Sequence, residues 1–439
     1  MVGSPNGEAI VSAENLYLNL RTDVMPAEIQ QKVSLSIAVT DYQFLVQTLN
    51  LIYSPSPFAI AQVRSQIPQV NWQTLVQLAV NHRILPLLFL TLSDHAADLI
   101  PADLMAQIRG LYNQNALKTI ALTGELFRIL DCLQTHQIAA IAFKGPVFSM
   151  LAYGSISARS AGDLDILVQP QDFLKPKTIL SSQGYTAKLL PILSKKQEQE
   201  FCWWLGEYLM VNEENHIHLD VHGRCVAGDG FAFHTDLSRF WQRLETVSIV
   251  GRSIQTLKKE DLLLYLCVSG IKDGWPNLKG ICDLDALIQR HPDLDWDMIL
   301  HESSDLKLDR MLRVGLLLTH KILKTPLSDR LLQFAQADPQ AVWLSNIVVK
   351  RFTAPLDALK KPSGSERFVI RFLGLGHWKP QLQQCLFFVN RSWRFLILVN
   401  EFDYGFFPLP RALYFLYYIL RPIRLILKHR TKLMNVIFR

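Results

Sequence analysis

Residues 163–168 read Asp163-Leu164-Asp165-Ile166-Leu167-Val168, and their reading decides the fold. In an extended strand, residues i and i+2 share a face. Asp163 and Asp165 therefore point one way, while Leu164, Ile166 and Val168 face a core. Two carboxylates side by side repel each other unless a cation stands between them. Oxygen-rich pairs of this kind suit Mg²⁺ or Mn²⁺. A D-x-D pair is also what two surface aspartates on an edge strand look like. The apolar strand around this one, and Arg159-Ser160 just before it, favour a built site.

Working outward, Ile138–Phe143 is a short apolar run closed by Lys144-Gly145-Pro146, which predicts a buried strand. Pro170 stops the Asp163–Val168 strand and can begin a helix running to about Gly184. Gly206–Val211 and His216–Val221 predict a hairpin joined through residues 212–215. In the second of these, Ile217, Leu219 and Val221 form one face; His216, His218, Asp220 and His222 form the other. Asp220 is thus a third carboxylate on a strand that could lie beside the first. The window 137–225 is the one convincing sheet.

On either side the period is helical. Trp72, Leu75, Val76 and Ala79 repeat at i, i+3, i+4 and i+7, as do Leu122, Leu126, Ile129, Leu130 and Leu133. Helical spacing returns after about Lys258. The expected class is α+β: a small mixed sheet in an α/β core, flanked by helical N- and C-terminal regions. The expected divisions are a loose segment at 1–35, helices at 36–136, the core at 137–230, helices at 231–345, and a C-terminal helical region at 346–439 with a basic amphipathic tail.

Composition narrows the function. Hydrophobic residues make up 49% and charged residues 19%, which excludes a disordered chain. The six cysteines are scattered without a C-x-x-C pair, the pattern of reduced core thiols and a cytoplasmic protein. The N-terminus has no basic and apolar leader, and no run is apolar for long enough to span a bilayer. The net charge is +6, but residues 408–439 hold seven Lys/Arg and no acid, leaving 38 basic against 39 acidic residues before them. A near-neutral body gives no broad electrostatic footprint for nucleic acid, so a nucleic-acid acceptor is open but not favoured.

The alternation His216, His218, Asp220, His222 raises a zinc hypothesis. Residues i and i+6 on a strand lie ~20 Å apart, so one metal cannot take all four. The alternative is that His216 and His218 are exposed, while His222 orients a ligand or packs beneath it.

The order Lys144-Gly145, Tyr153, Arg159, Asp163–Val168 and Leu219-Asp220-Val221-His222 resembles the uncharacterised bacterial nucleotidyltransferase family of the DNA polymerase beta-like nucleotidyltransferase superfamily. Trp72, Ala79, His82-Arg83 and Pro86 resemble its N-terminal signature. Leu263–Leu266, Lys272, Trp275, Leu278 and Asp283 resemble the helix after its core, and Tyr417-Tyr418 through Arg421-Pro422 its C-terminal end. The resemblance covers about residues 70–430. It implies that Asp163, Asp165 and Asp220 ligate divalent ions, with Asp220 helping to remove an acceptor proton. It also implies transfer of a nucleotidyl group from an NTP to an acceptor hydroxyl, with release of pyrophosphate. Phosphate contacts fall to Lys144, Gly145, Arg159, Ser160, His222 and Lys272; for Arg159 the alternative is an ion pair with Asp163. The superfamily's usual Gly-Ser turn is Lys144-Gly145 here, and the family's histidines after the core are Ser269 and Asp273, which leaves the acceptor open. A non-catalytic scaffold that keeps the fold is the alternative.

In the tail, Arg421, Arg424, Lys428 and Lys432 share one helical face, with Leu416, Ile419, Leu420, Ile423 and Leu427 largely on another. Such a segment can rest on an anionic membrane at the inner face. The alternative is a helix packed on the catalytic domain. Nothing in the sequence indicates an oligomeric state.

Overall fold

A computed structural model describes residues 41–160, 162–188, 205–224, 237–353 and 362–377, with 199, 202–203, 381–382, 409, 413, 416 and 419–420 as isolated positions. The expected loose segment at 1–35 and the basic face of the tail lie outside the described residues.

Residues 41–50 are helical. Four helices follow: α1 (Pro57–Gln66), α2 (Trp72–Asn81), α3 (Leu85–His95) and the long α4 (Ala102–Thr135). The side chain of Asn71 caps α2 by accepting from Thr74 N. The predicted stripe of α2 puts Leu75, Leu78 and Ala79 inside. Trp72 meets Phe44 edge-on, with ring centroids 6.3 Å apart.

The five-stranded sheet has the order β1-β2-β5-β4-β3, built from β1 (Ala140–Ala142), β2 (Leu164–Val168), β3 (Tyr185–Ala187), β4 (Glu207–Asn212) and β5 (His218–His222). β2 and β5 run parallel, and every other pair is antiparallel. The expected small mixed sheet is therefore present. Helix α5 (Gly145–Tyr153) follows β1, and α6 (Lys175–Ser181) precedes β3.

Two expectations for this region need correction, and one strand was not foreseen. The helix opening at Pro170 is a single 3-10 turn, Pro170–Asp172, with α6 starting only at Lys175. Gly184, at φ +84°, turns the chain into an edge strand, β3, that lacks its own alternation signal. The hairpin's second strand starts at His218 rather than His216. Asn212 Oδ1 accepts from Glu214 N and Asn215 N, Asn215 Oδ1 accepts from Ile217 N, and His216 is left in the turn at φ +56°.

Beyond α7 (Leu237–Trp241), the window 137–225 proves not to hold all the sheet. A hairpin of β6 (Glu245–Ile249) and β7 (Arg252–Thr256) stands where helices were expected. Its turn is Val250-Gly251, with both residues in the left-handed region, at φ +51° and +76°. Two adjacent positive-φ residues make the tight turn whose twist suits a hairpin. Val247, Ile249 and Ile254 bury one face of it.

Seven helices complete the described chain: α8 (Lys259–Asp273), α9 (Leu278–Arg290), α10 (Trp296–Asp305), α11 (Asp309–Leu323), α12 (Asp329–Gln336), α13 (Pro339–Phe352) and α14 (Gly364–Gly374). They share one hydrophobic cluster with α1–α3, so the helical regions before and after the sheet pack as one body. The sheet divides this cluster from a second one. Ile141, Phe143 and Leu167 belong to the helical cluster. Ala142, Leu164, Ile166 and Val168 join Leu122, Leu126, Ile129 and Leu133 of α4 on the other side. All five residues of β2 are buried, as expected for a central strand covered on both faces. Asp165 thus lies between two apolar layers, where an unpaired charge would be costly. Among the described residues, no helix is long and apolar enough to cross a membrane.

Candidate active site

β1 ends at Ala142, and the chain then turns sharply through Phe143, Lys144 and Gly145. Gly145 has φ +57°, a region that suits glycine, and a Cβ there would stand 3.7 Å from the carbonyl oxygen of Asp163. The turn therefore lies against the start of β2. It opens a cleft of about 330 Å³ lined by Lys144, Gly145, Arg159, Ser160, Asp163, Asp165, Asp220 and His222. Eight of the nine residues expected at the site line this one space. Lys272 does not line it; from the same helix, α8, Tyr265, Ser269, Gly270 and Asp273 do.

The strand register sets the carboxylates. Asp165 pairs with Asp220 across the parallel β2–β5 ladder, and Leu167 pairs with His222. Paired residues on adjacent strands present their side chains to the same face. His222 comes to the same side because β5 runs on to it, and its Nε2 reaches Asp165 Oδ1 at 2.9 Å. Lys144 Nζ donates to the same oxygen at 2.6 Å. Asp163 is exposed at the strand's entrance and lines the cleft. His216 and His218 are exposed, and neither lines the cleft.

Two carboxylates in register have opposite electrostatics. Burial works against the Asp165 anion, but Lys144 and His222 outweigh it and hold its pKa below the usual carboxylate range. Lys144 also lowers Asp220, but as the least of its influences. Burial, then the charges of Asp165, Asp163 and Glu207, push it up to about 7. Glu207 is a fourth carboxylate that sequence reasoning missed. It heads β4 opposite His222 in register, with its Oε2 3.4 Å from His222 Nδ1. The signal was a charged residue on the inner face of an otherwise apolar strand.

Lys144 lies between the rings of Phe143 and Tyr265, at 5.2 and 5.5 Å from their centroids. Burial opposes its charge, but the Tyr265 hydroxyl and Asp165 raise its pKa well above the usual value. Lys144 is therefore a charged ammonium seated on Asp165.

Arg159 pairs neither with Asp163 nor with open cleft. Its Nε donates to both oxygens of Asp283 on α9, at 3.0 and 2.9 Å. Tyr153 Oη donates to Asp283 Oδ1 at 2.9 Å. Asp283 is 2% exposed, so this is a buried clamp joining α5, the loop before β2, and α9.

Two cations in the cleft wall were not assigned from the sequence. Lys279, in the first turn of α9, lines the cleft with Arg83 from the turn after α2. Burial first, then Arg159, drives Lys279 down to about 7.

Burial and the neighbouring carboxylates disfavour the Asp220 anion as it stands. The donors suit a hard divalent cation in kind, since Asp163, Asp165 and Asp220 offer oxygen only. They are not closed around one position: among the described residues, no three His, Cys, Asp or Glu side chains are grouped to hold a metal. The cation that stands at Asp165 is Lys144 itself.

Acidic oxygens facing Lys and Arg across one cleft are what the handling of a phosphate chain with its counter-ion requires. The family described as uncharacterised nucleotidyltransferase matches residues 68–324, more than half of the chain. The chain belongs to that family, and it is a transferase in that broad sense. No curated protein matches it.

Proposed function

We propose that the protein is a metal-dependent nucleotidyltransferase, moving an NMP from an NTP to an acceptor hydroxyl and releasing pyrophosphate. The observation that carries this is the in-register pair Asp165–Asp220 with Asp163 beside it, all in the same cleft as Lys144 and Arg159. Asp163, Asp165 and Asp220 would hold Mg²⁺ or Mn²⁺. When bound, the ion would screen the phosphate charge and stabilise the entering and leaving oxygens. Asp220 would accept the acceptor's proton on a carboxylate oxygen as the new O–P bond forms. The bond from the α-phosphorus to the bridging oxygen breaks, and its electron pair leaves with pyrophosphate. Lys144 and the Gly145 backbone would meet phosphate oxygens at the turn. His222 would hold Asp165 in place through its Nε2.

One observation favours a second interpretation. Lys144 occupies the Asp165 oxygen that an ion would need, as it would in a nucleotide-binding protein without turnover. Labelled NTPs, incubated with the chain and with cell extract in Mg²⁺ or Mn²⁺, separate the two. Transfer of label that vanishes in Asp163→Asn/Asp165→Asn supports the transferase. Binding of NTP with no transfer supports the scaffold.

The acceptor, whether small molecule, sugar, peptide or protein, would enter beside Ser269 and Asp273, which line the cleft from α8. A cytoplasmic location, and a membrane contact through the tail, remain part of the same proposal. Liposome sedimentation with and without residues 408–439 tests the contact.

A further inference from the structure

Three separate stretches of chain are fastened together at one corner of the cleft. His82 O accepts from Lys279 N at 3.2 Å, and His82 Nδ1 accepts from Leu278 N at 3.4 Å. Arg83 O accepts from Ser160 Oγ at 2.8 Å. The turn after α2 is thereby tied to the start of α9 and to the loop before β2. It holds Arg83 at φ +57°, a conformation uncommon for a non-glycine residue. Such a conformation costs free energy, and these three bonds hold it there. The result is that Arg83, Arg159 and Lys279 all line the cleft beside Asp163.

The three cations are not equally engaged. Arg159 gives its Nε to Asp283. Arg83 is exposed, and no described residue forms an ion pair or side-chain hydrogen bond with it; the same holds for the Lys279 ammonium. The cleft therefore has an acidic half, where Asp165 and Asp220 stand, and a basic corner in which the Arg83 guanidinium and the Lys279 nitrogen have no internal partner among the described residues. An anion lying in that corner would gain charge-assisted hydrogen bonds without displacing an internal partner.

We propose that Arg83 and Lys279, backed by Arg159, form the seat for the terminal two phosphates of the nucleoside triphosphate. This seat rests on the nucleotidyltransferase chemistry proposed above. That chemistry places the α-phosphate over the carboxylates and sends the remaining two away as pyrophosphate, the part carrying most of the negative charge. The helical region before the sheet then belongs to the substrate site through Arg83, and is more than a support for the sheet.

Calorimetric titration of the full chain with inorganic tripolyphosphate, without divalent metal, tests the seat. Arg83→Gln and Lys279→Gln should each weaken binding about tenfold, as loss of one charged hydrogen bond does. Lys279→Arg should stay near wild type, and melting curves should show that all variants fold. The α,β-methylene analogues of the four common NTPs should bind more tightly than the matching NMPs, and both Gln variants should lose that discrimination. Tripolyphosphate binding that is undetectable in the wild type, or unchanged in both variants, overturns the seat. So does equal binding of triphosphates and monophosphates. If Arg83 and Lys279 govern tripolyphosphate binding while no NTP is ever turned over, the seat stands and the transferase fails. If turnover needs Asp163 and Asp165 but ignores Arg83 and Lys279, the transferase stands and the seat fails.

Discussion

Asp165 and Asp220 face each other in register on parallel strands, yet one is held as an anion by Lys144 and His222 while the other is pushed up to about 7. The asymmetry comes from the two partners on Asp165, of which the Lys144 ammonium is the closer. Lys144 Nζ is 2.6 Å from Asp165 Oδ1, and Asp165 is 7% exposed. Removing one member of a buried pair strands the other. Lys144→Met should cost about 3 kcal/mol at neutral pH. Lys144→Met/Asp165→Asn should recover most of that loss, because no charge is then left alone. Denaturant melts of the two single variants and the double variant close the cycle. A double variant as unstable as Lys144→Met would refute the pairing.

The clamp at Asp283 makes a second prediction. Asp283→Ala leaves the Arg159 guanidinium without its carboxylate and Tyr153 Oη without its acceptor. A loss of about 3 kcal/mol is expected. Asp283→Asn keeps an acceptor for Tyr153 and should lose less. Thermal unfolding followed by circular dichroism ranks the two.

Glycine packing makes a third. A Cβ at Gly270 would meet the Trp275 ring at 2.3 Å, and Trp275 is 1% exposed, so it has nowhere to move. Gly270→Ala should destabilise by roughly 1–3 kcal/mol. At Gly280 the same ring is 3.7 Å away. Gly280→Ala, also helical, should be neutral or stabilising by about 0.5–1 kcal/mol. Equal melting shifts for the two would show that the ring does not govern the difference.

The fourth concerns pH. Asp285 accepts from Thr325 Oγ1 at 2.6 Å and from Gln289 Nε2 at 2.7 Å, but burial drives its carboxyl up to about 6. Its unfolded value is about 3.9. Between these values the folded state binds more protons than the unfolded one. Stability from this group is therefore complete below about pH 4 and falls as pH rises through 6. Asp285→Asn should remove that slope. It should stabilise the protein at pH 8 by roughly 2 kcal/mol relative to its effect at pH 4. Urea melts at the two pH values test this, and an unchanged difference between them would count against it.

How much of this was legible in the sequence depended on whether the signal was local. The carboxylates were visible because β2 is a continuous apolar strand in which polar residues stand out. Asp220 followed from alternation along β5. The hairpin β6–β7 does carry alternation, with Val247, Ile249 and Ile254 inward and Thr246, Ser248, Ser253 and Gln255 outward, but each strand is only five residues long. The Val250-Gly251 turn between them was a second usable clue. Arg159 lines the cleft, and the alternative of an ion pair with Asp163 gives way to one with Asp283. Asp283 is 124 residues away, and no local pattern announces so distant a carboxylate. Arg83 and Lys279 were missed for the same reason. Each is an ordinary cation at the end of its own helix, and only the docking of His82 onto α9 brings them together.

That docking has a consequence for how the chain reaches its working form. The His222–Asp165 bond closes a loop of 57 residues, the Tyr153–Asp283 bond one of 130, and the Leu278–His82 bond one of 196. Contacts of such separation form late, since the entropy of closure must be met before the contact can repay it. The acidic half of the cleft can arise once the sheet is complete, whereas its basic corner also needs the turn after α2 docked on α9. A nascent chain released with the sheet folded but α9 unmade would carry three aspartates and no corner opposite them. The proposed site is thereby incomplete until α9 has docked onto the turn after α2.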